Sequence, residues 1–151
     1  HIVISHVQNK CLSGSKYWLL IVYQYSKFKW SRFIKTNDQV AKKLVKVIQE
    51  IQADGKQVKF IRADNSGEHQ CNQKTLQENN IYGLQVALTA PYTPQQNGIV
   101  ERRSRTLYDK VRRTFTHEQL SPRLKSLCWA ECCYYVTQLT NISVPVGQTI
   151  S

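Results

Sequence analysis

The 151-residue sequence contains no methionine and only ten acidic residues. A chain without methionine does not begin at a natural start codon, so it reads as an excerpt of a longer polyprotein or of a decayed reading frame. Its longest apolar run, Tyr17 to Tyr23, is far shorter than the ~20 residues that cross a bilayer. No basic segment precedes an apolar stretch at the start, so no secretory leader is expected either. Six glycines and four prolines are too few for a collagenous or linker-like chain. Carboxylates are missing altogether from residues 1–37, where six Lys and Arg fall. The five cysteines are an odd number with no C-x-x-C spacing, and the four histidines are scattered, so a zinc site is not expected. Without a leader the thiols are expected to be reduced and the protein intracellular.

What is present is a hydrophobic content of 41%, ample for one domain with its own core, and 21 Lys and Arg. The net charge of +11 raises the local concentration of polyanions and favours phosphate contacts, which points to nucleic acid. A solubilising surface is the plainer alternative.

Residues 1–7 alternate as a strand with Ile2 and Ile4 on one face. Tyr17 to Tyr23 reads as a buried strand. Lys27 to Lys35 reads as a half-exposed strand, basic on its wet side, with Phe28 and Trp30 sharing a face before the pattern slips to Phe33. Val40, Leu44, Val47, Ile48 and Ile51 recur at helical spacing, opposite Lys42, Lys43, Lys46 and Gln49. Asn37 or Asp38 is placed to cap this helix, and Asp54-Gly55 to close it. Val58 to Ala63 is a further strand, Gln73 to Asn79 a short helix, and Leu84 to Ala90 another strand. A polar loop with two prolines, Pro91 to Gly98, leads into a long helix from about Gly98 to Thr116. A last helix, apolar nearly all round, is expected from Pro122 or Arg123 to Thr140, buried in the domain or in a subunit interface. Three strands followed by alternating helices and strands predict an α/β domain, a mixed sheet with helices on its faces. Residues 1–141 form the domain in this reading, and 142–151 a tail.

Two carboxylates stand out. Asp64 ends a predicted strand, where ligand and metal sites of open α/β sheets concentrate; a turn-forming Asp-Asn pair is the alternative. Glu101 lies one turn into the long helix, on a stripe with Arg105, Tyr108 and Arg112 beside the apolar stripe of Val100, Leu107, Val111 and Phe115. Six basic and two acidic residues between 98 and 116 suit a polyanion better than internal pairing, although Glu101 and Arg105 also have the spacing of a helical ion pair. Two carboxylates from different elements suit Mg²⁺ or Mn²⁺. Paired ions for phosphoryl transfer ordinarily need a third carboxylate to bridge them, and none exists near the first strand.

Ile61-Arg-Ala-Asp-Asn-Ser-Gly-Glu68 and Ala90-Pro-Tyr-Thr-Pro-Gln-Gln-Asn-Gly-Ile-Val-Glu-Arg-Arg-Ser-Arg-Thr-Leu107 closely resemble the integrase core of copia-type LTR retrotransposons. The interval between Asp64 and Glu101 is near that of the family. Gly14 to Leu20 and Tyr25 to Trp30 resemble its first hairpin, and Trp129-Ala-Glu-Cys132 the start of its final helix. The resemblance runs from His1 to about Asn141. It implies a ribonuclease H-like fold, a five-stranded mixed sheet flanked by helices, and an Asp-Asp-Glu triad holding Mg²⁺ or Mn²⁺. Asp64 and Glu101 match the second and third members. The first aligns with Val3, which cannot ligate a metal, and Tyr23 stands where the family usually carries another Asp. His1, Ser5 and His6 offer no bridging carboxylate in its place. Impaired catalysis and weakened or lost metal binding are therefore expected.

In an intact relative, water attacks near the 3′ end of the element's DNA, and the freed 3′-hydroxyl then attacks target DNA. The resemblance puts Asn97, Arg102 and Arg105 near phosphates of the element's end, Tyr92 and Gln96 in the loop where DNA ends approach, and Arg112 and Arg113 farther along. Glu68 is either a support for Asp64 or a solvated loop carboxylate. DNA, further copies of the chain and a nuclear location follow from the same resemblance. The alternative is a non-catalytic DNA-binding or oligomerising module derived from such an integrase, with Trp129, Tyr134 and Tyr135 available for pairing.

Overall fold

A computed structural model describes residues 1–7, 10–36, 38–63, 78, 81, 83–88, 94–117 and 119–143, the side chains of 63, 87, 88, 94–101 and 103 excepted. Its centre is a five-stranded mixed sheet. The strands are β1 (Ile2–His6), β2 (Tyr17–Val22), β3 (Lys29–Ile34), β4 (Phe60–Ala63) and β5 (Gln85–Leu88), in the order β3-β2-β1-β4-β5. The first three form an antiparallel meander, and β4 and β5 add in parallel on the other side of β1. This is the expected ribonuclease H-like sheet.

Helix α1 (Gln39–Ala53) covers one face. Its buried residues, Val40, Leu44, Val45, Val47, Ile48 and Ile51, fall at helical spacing and meet Ile2, Leu19, Ile21, Ile34 and Ile61 from the strands. Asp38 occupies the N-cap without a capping side-chain bond; instead the Lys35 amide donates to the Gln39 side chain. Gly55, at φ +74°, closes the helix. Its amide donates to Gln52 and that of Lys56 to Ile51, the paired bonds that favour glycine after a helix.

The other face carries α2 (Pro94–His117), α3 (Pro122–Leu127) and α4 (Trp129–Ile142). Trp18, Leu20 and Val22 alternate with the α1-facing residues of β2 and pack here against Leu107, Val111, Trp129 and Cys133. The slip at Phe33 is a change of face: Trp30 packs toward α1, whereas Phe33 meets Trp129 edge-on at 5.5 Å.

Several expectations need correction. The long helix begins at Pro94 rather than Gly98, because a proline at the first helical position gives up no bond the helix would have used. The last helix is two. Ser121 caps α3 at the Leu124 amide, and the Leu127 carbonyl accepts from the Leu12 amide at 3.0 Å. That bond to the 10–16 loop replaces the next helical one. Of its two expected settings, helix α4 does not have the first: it is not buried all round in the domain, since Tyr134, Tyr135, Leu139 and Ile142 are exposed. Lys29 is not on a wet face: it is buried, its backbone clamped at 2.8–2.9 Å by the Asn141 side chain. The expected helix at 73–79 lies outside the described residues apart from Glu78, which is helical.

Candidate nucleic-acid interface

Strand β1 and helix α2 carry the site predicted from sequence. Val3 is half-buried on β1, on the same face as Ser5 by strand alternation. Parallel pairing of β1 with β4 sets Ile2 opposite Ala63. Val3 and Asp64 are each the next residue in sequence, but Asp64 itself lies outside the described residues. The Ser5 hydroxyl bonds to the Tyr108 hydroxyl, and the Tyr108 ring stands edge-on to Trp18 at 4.8 Å. These contacts seat α2 on the sheet two turns beyond Glu101. Glu101 belongs to α2, and its side chain is outside the described set.

Tyr108 therefore joins the buried side of α2 instead of the polar stripe assigned from sequence. Burial of its ring, followed by the nearby Cys133 thiol, pushes its hydroxyl up to about 12. The same burial pushes the Cys133 thiol well above its ordinary range. Ser104 was not singled out from sequence. It is buried one turn after Glu101, and its hydroxyl has no hydrogen-bond partner among the described residues. Its place at helical spacing from Leu107, Tyr108 and Val111 was the available signal.

The outward side of α2 is basic. Arg102, Arg105, Lys110, Arg112 and Arg113 are exposed, against Asp109. Thr106, Thr114 and Thr116 turn their hydroxyls back onto helix carbonyls of Arg102, Lys110 and Arg112. Among the described residues a single ion pair forms, Arg32 with Glu50, well away on β3 and α1. The structure so brings Arg102 and Arg105 together on one exposed helix. Gln96 and Asn97 lie in the first turns of α2, their side chains undescribed, and Tyr92 and Glu68 are outside the described residues.

Among the described residues no group of three or more His, Cys, Asp or Glu could hold a metal ion, and no helix is long and apolar enough to cross a membrane. Cys11, Cys128, Cys132 and Cys133 are free thiols.

No family model matches the sequence. The chain is 27% identical over 146 residues to the retrovirus-related Pol polyprotein from transposon TNT 1-94 of Nicotiana tabacum, a match covering 96% of this chain and 11% of that polyprotein. The fold is similar to the catalytic core domain of BIV integrase, with a TM-score of 0.57 and 19% identity over 97% of this chain and 82% of that one. It is also similar to a chain of the simian T-cell lymphotropic virus intasome in complex with PP2A regulatory subunit B56 gamma, with a TM-score of 0.58 and 15% identity over 91% and 45% of the two chains. The chain is thus similar to a stretch of a retrotransposon Pol polyprotein, of which it spans about a tenth of the length, and it has the ribonuclease H-like fold seen in retroviral integrase catalytic cores.

Proposed function

We propose that this domain is a retroelement integrase core that binds DNA through α2 and is impaired in catalysis by Val3. The observation that carries the proposal is the row of exposed cations on α2, Arg102, Arg105, Lys110, Arg112 and Arg113. The helix that bears them starts within the Pro-Tyr-Thr-Pro-Gln-Gln-Asn-Gly stretch and contains Glu101. Arginines on one helix face meet successive phosphates without reading sequence. Tyr92, Gln96 and Asn97 are assigned to the DNA ends approaching the start of the helix.

The donor set fits one hard cation. Asp64 and Glu101 would hold a single Mg²⁺ or Mn²⁺ with solvent and phosphate oxygens, and the bound ion would favour charge building on a phosphate. Val3 brings only methyl groups to the third position, so a second, bridged ion has no support. The substitution at Tyr23, half-buried at the end of β2, points the same way. Acting on chromosomal DNA, the domain would work in the nucleus.

A second copy of the chain is the proposed protein partner. Residues Cys132 to Ile142 contain no charged side chain, and Tyr134, Tyr135, Leu139 and Ile142 are exposed there. On a molecule of net charge +11, this face meets a like-charged copy with the least repulsion.

Binding of labelled duplex DNA across a salt series tests the first part. Arg105→Ala and Arg112→Ala are each expected to weaken binding and to lower the salt slope by about one; unchanged slopes would remove α2 from the interface. Nicking and strand transfer with Mn²⁺ test the second part. Activity is expected in Val3→Asp, and more in Val3→Asp with Tyr23→Asp, and is lost again on adding Glu101→Gln. Robust activity in the unaltered chain would sink the impairment.

A further inference from the structure

We infer that the α1 face of the sheet holds a binding site for a small apolar carboxylate. A cavity of about 210 Å³ lies where the last turn of α1 leaves the sheet. Ile21, Leu44, Ile48, Ile51, Val58 and Ile61 give it an aliphatic wall. Its mouth is polar, with His1, Tyr23, Gln24 and Gln57 beside the exposed cations Lys59 and Arg62, and none of its lining residues is acidic.

The local chain path makes the space. The Gly55 closure turns the backbone away from α1, and residues 56–59 run back to the start of β4. The Gln85 amide then fixes the Lys59 carbonyl at 3.0 Å. The loop is held by backbone bonds, and the cavity lies between it and the end of the helix. An enclosed apolar cavity of roughly 150 Å³ accepts one benzene ring, so this larger, half-open one has room for a ring or a short branched chain against its aliphatic wall and a polar head at its mouth. The two cations select an anionic head over a neutral or cationic one, and the aliphatic wall excludes a bare phosphate. The site is separate from α2 and does not depend on the DNA-binding reading.

Amide NMR titrations with benzoate, benzyl alcohol and benzylamine test the inference on the full chain. Benzoate is expected to saturate on the order of 1 mM, shifting Ile48, Ile51, Val58 and Ile61. Benzyl alcohol should follow about fivefold weaker, and benzylamine weaker still. Lys59→Gln with Arg62→Gln alters only exposed side chains and should bring benzoate down to the alcohol's affinity while leaving the alcohol unchanged. Val58→Trp should abolish binding of all three. Benzoate shifts confined to the α2 arginines would overturn the site, as would an unchanged acid preference in the double variant. Unaltered binding in folded Val58→Trp would do so as well; should that variant not fold, the double variant decides alone.

Discussion

The two faces of the sheet are built from different chemistry. Under α1 the fully buried contacts are aliphatic, with Ile, Leu and Val from the helix and from four strands, and Tyr17, Tyr23 and Trp30 join only as partly buried neighbours. Under α2 and α4 the core contains aromatic rings, thiols and a chain of hydroxyls. There the Trp18 indole donates to Ser31 at 2.9 Å, Ser31 bonds Thr137 at 2.7 Å, and Thr137 donates to the Cys133 carbonyl at 2.6 Å. Aliphatic contacts tolerate sliding, because dispersion has little direction. Hydrogen-bonded contacts do not, because each lost partner leaves a buried group unpaired. The helix that carries Glu101 and the exposed arginines is the one fixed by Ser5, Tyr108, Trp18 and Ser31. The α1 face supplies adhesion, and the α2 face supplies position.

The largest expected effect tests adhesion. Leu44→Ala, at a fully buried site on α1, should cost about 3 kcal/mol in urea unfolding. Ser31→Ala tests position. It leaves the Trp18 indole without its acceptor and should cost about 2 kcal/mol. In DNA binding the order should reverse: Ser31→Ala shifts the seat of α2, whereas Leu44→Ala leaves it in place as long as the protein remains folded. Equal effects of the two variants on DNA affinity would erase the distinction.

A pH series separates the faces next. Tyr108 keeps its proton to about 12 in the folded protein, against roughly 10 in an unfolded chain. Above the unfolded value the unfolded chain has released the proton and the native state still binds it, so stability falls as pH rises. The contribution is intact below pH ~10 and lost by pH ~12, on the order of 1 kcal/mol after allowing for the half-buried ring. The raised Cys132 and Cys133 thiols act in the same direction. Tyr108→Phe should flatten the alkaline limb of the unfolding curve, with tyrosinate absorbance reporting the titration in the parent. All of these groups are on the α2 and α4 side.

The sequence made one face far more legible than the other. Period-two and period-3.6 patterns are written in aliphatic residues, so β1, β2 and α1 could be read directly from Ile2, Ile4, Leu44 and Ile48. Tyr108, Ser104 and Lys29 were misplaced or passed over, because a polar residue's side is decided by its partner. Tyr108 is buried by Trp18 and Ser5, 90 and 103 positions away in sequence, and Lys29 by Asn141, 112 positions away. The break at Cys128 was hidden for the same reason, since it depends on the Leu12 amide. Within the candidate site, exposure of Arg105 followed from spacing along α2, whereas Arg102 was reached through the resemblance. Asp64, Glu101 and Val3 were singled out through the sequence and its motif alone; the β1–β4 register sets Ile2, the neighbour of Val3, opposite Ala63.

The smallest expected effect probes the one ion pair among the described residues. Both Glu50 oxygens lie 2.8 Å from Nη2 of Arg32, joining α1 to the edge strand β3. The geometry is good, but the Glu50 side chain is 49% exposed, and such pairs contribute little once water and salt screen them. Glu50 also sits in the last turn of α1, where a negative charge opposes the helix dipole. Glu50→Gln gives up the attraction and relieves that opposition. The net change in urea unfolding should therefore be within about 0.5 kcal/mol at low salt and vanish near 1 M salt. A loss of more than about 1.5 kcal/mol would mean that charge, and not aliphatic contact, holds α1 to the sheet.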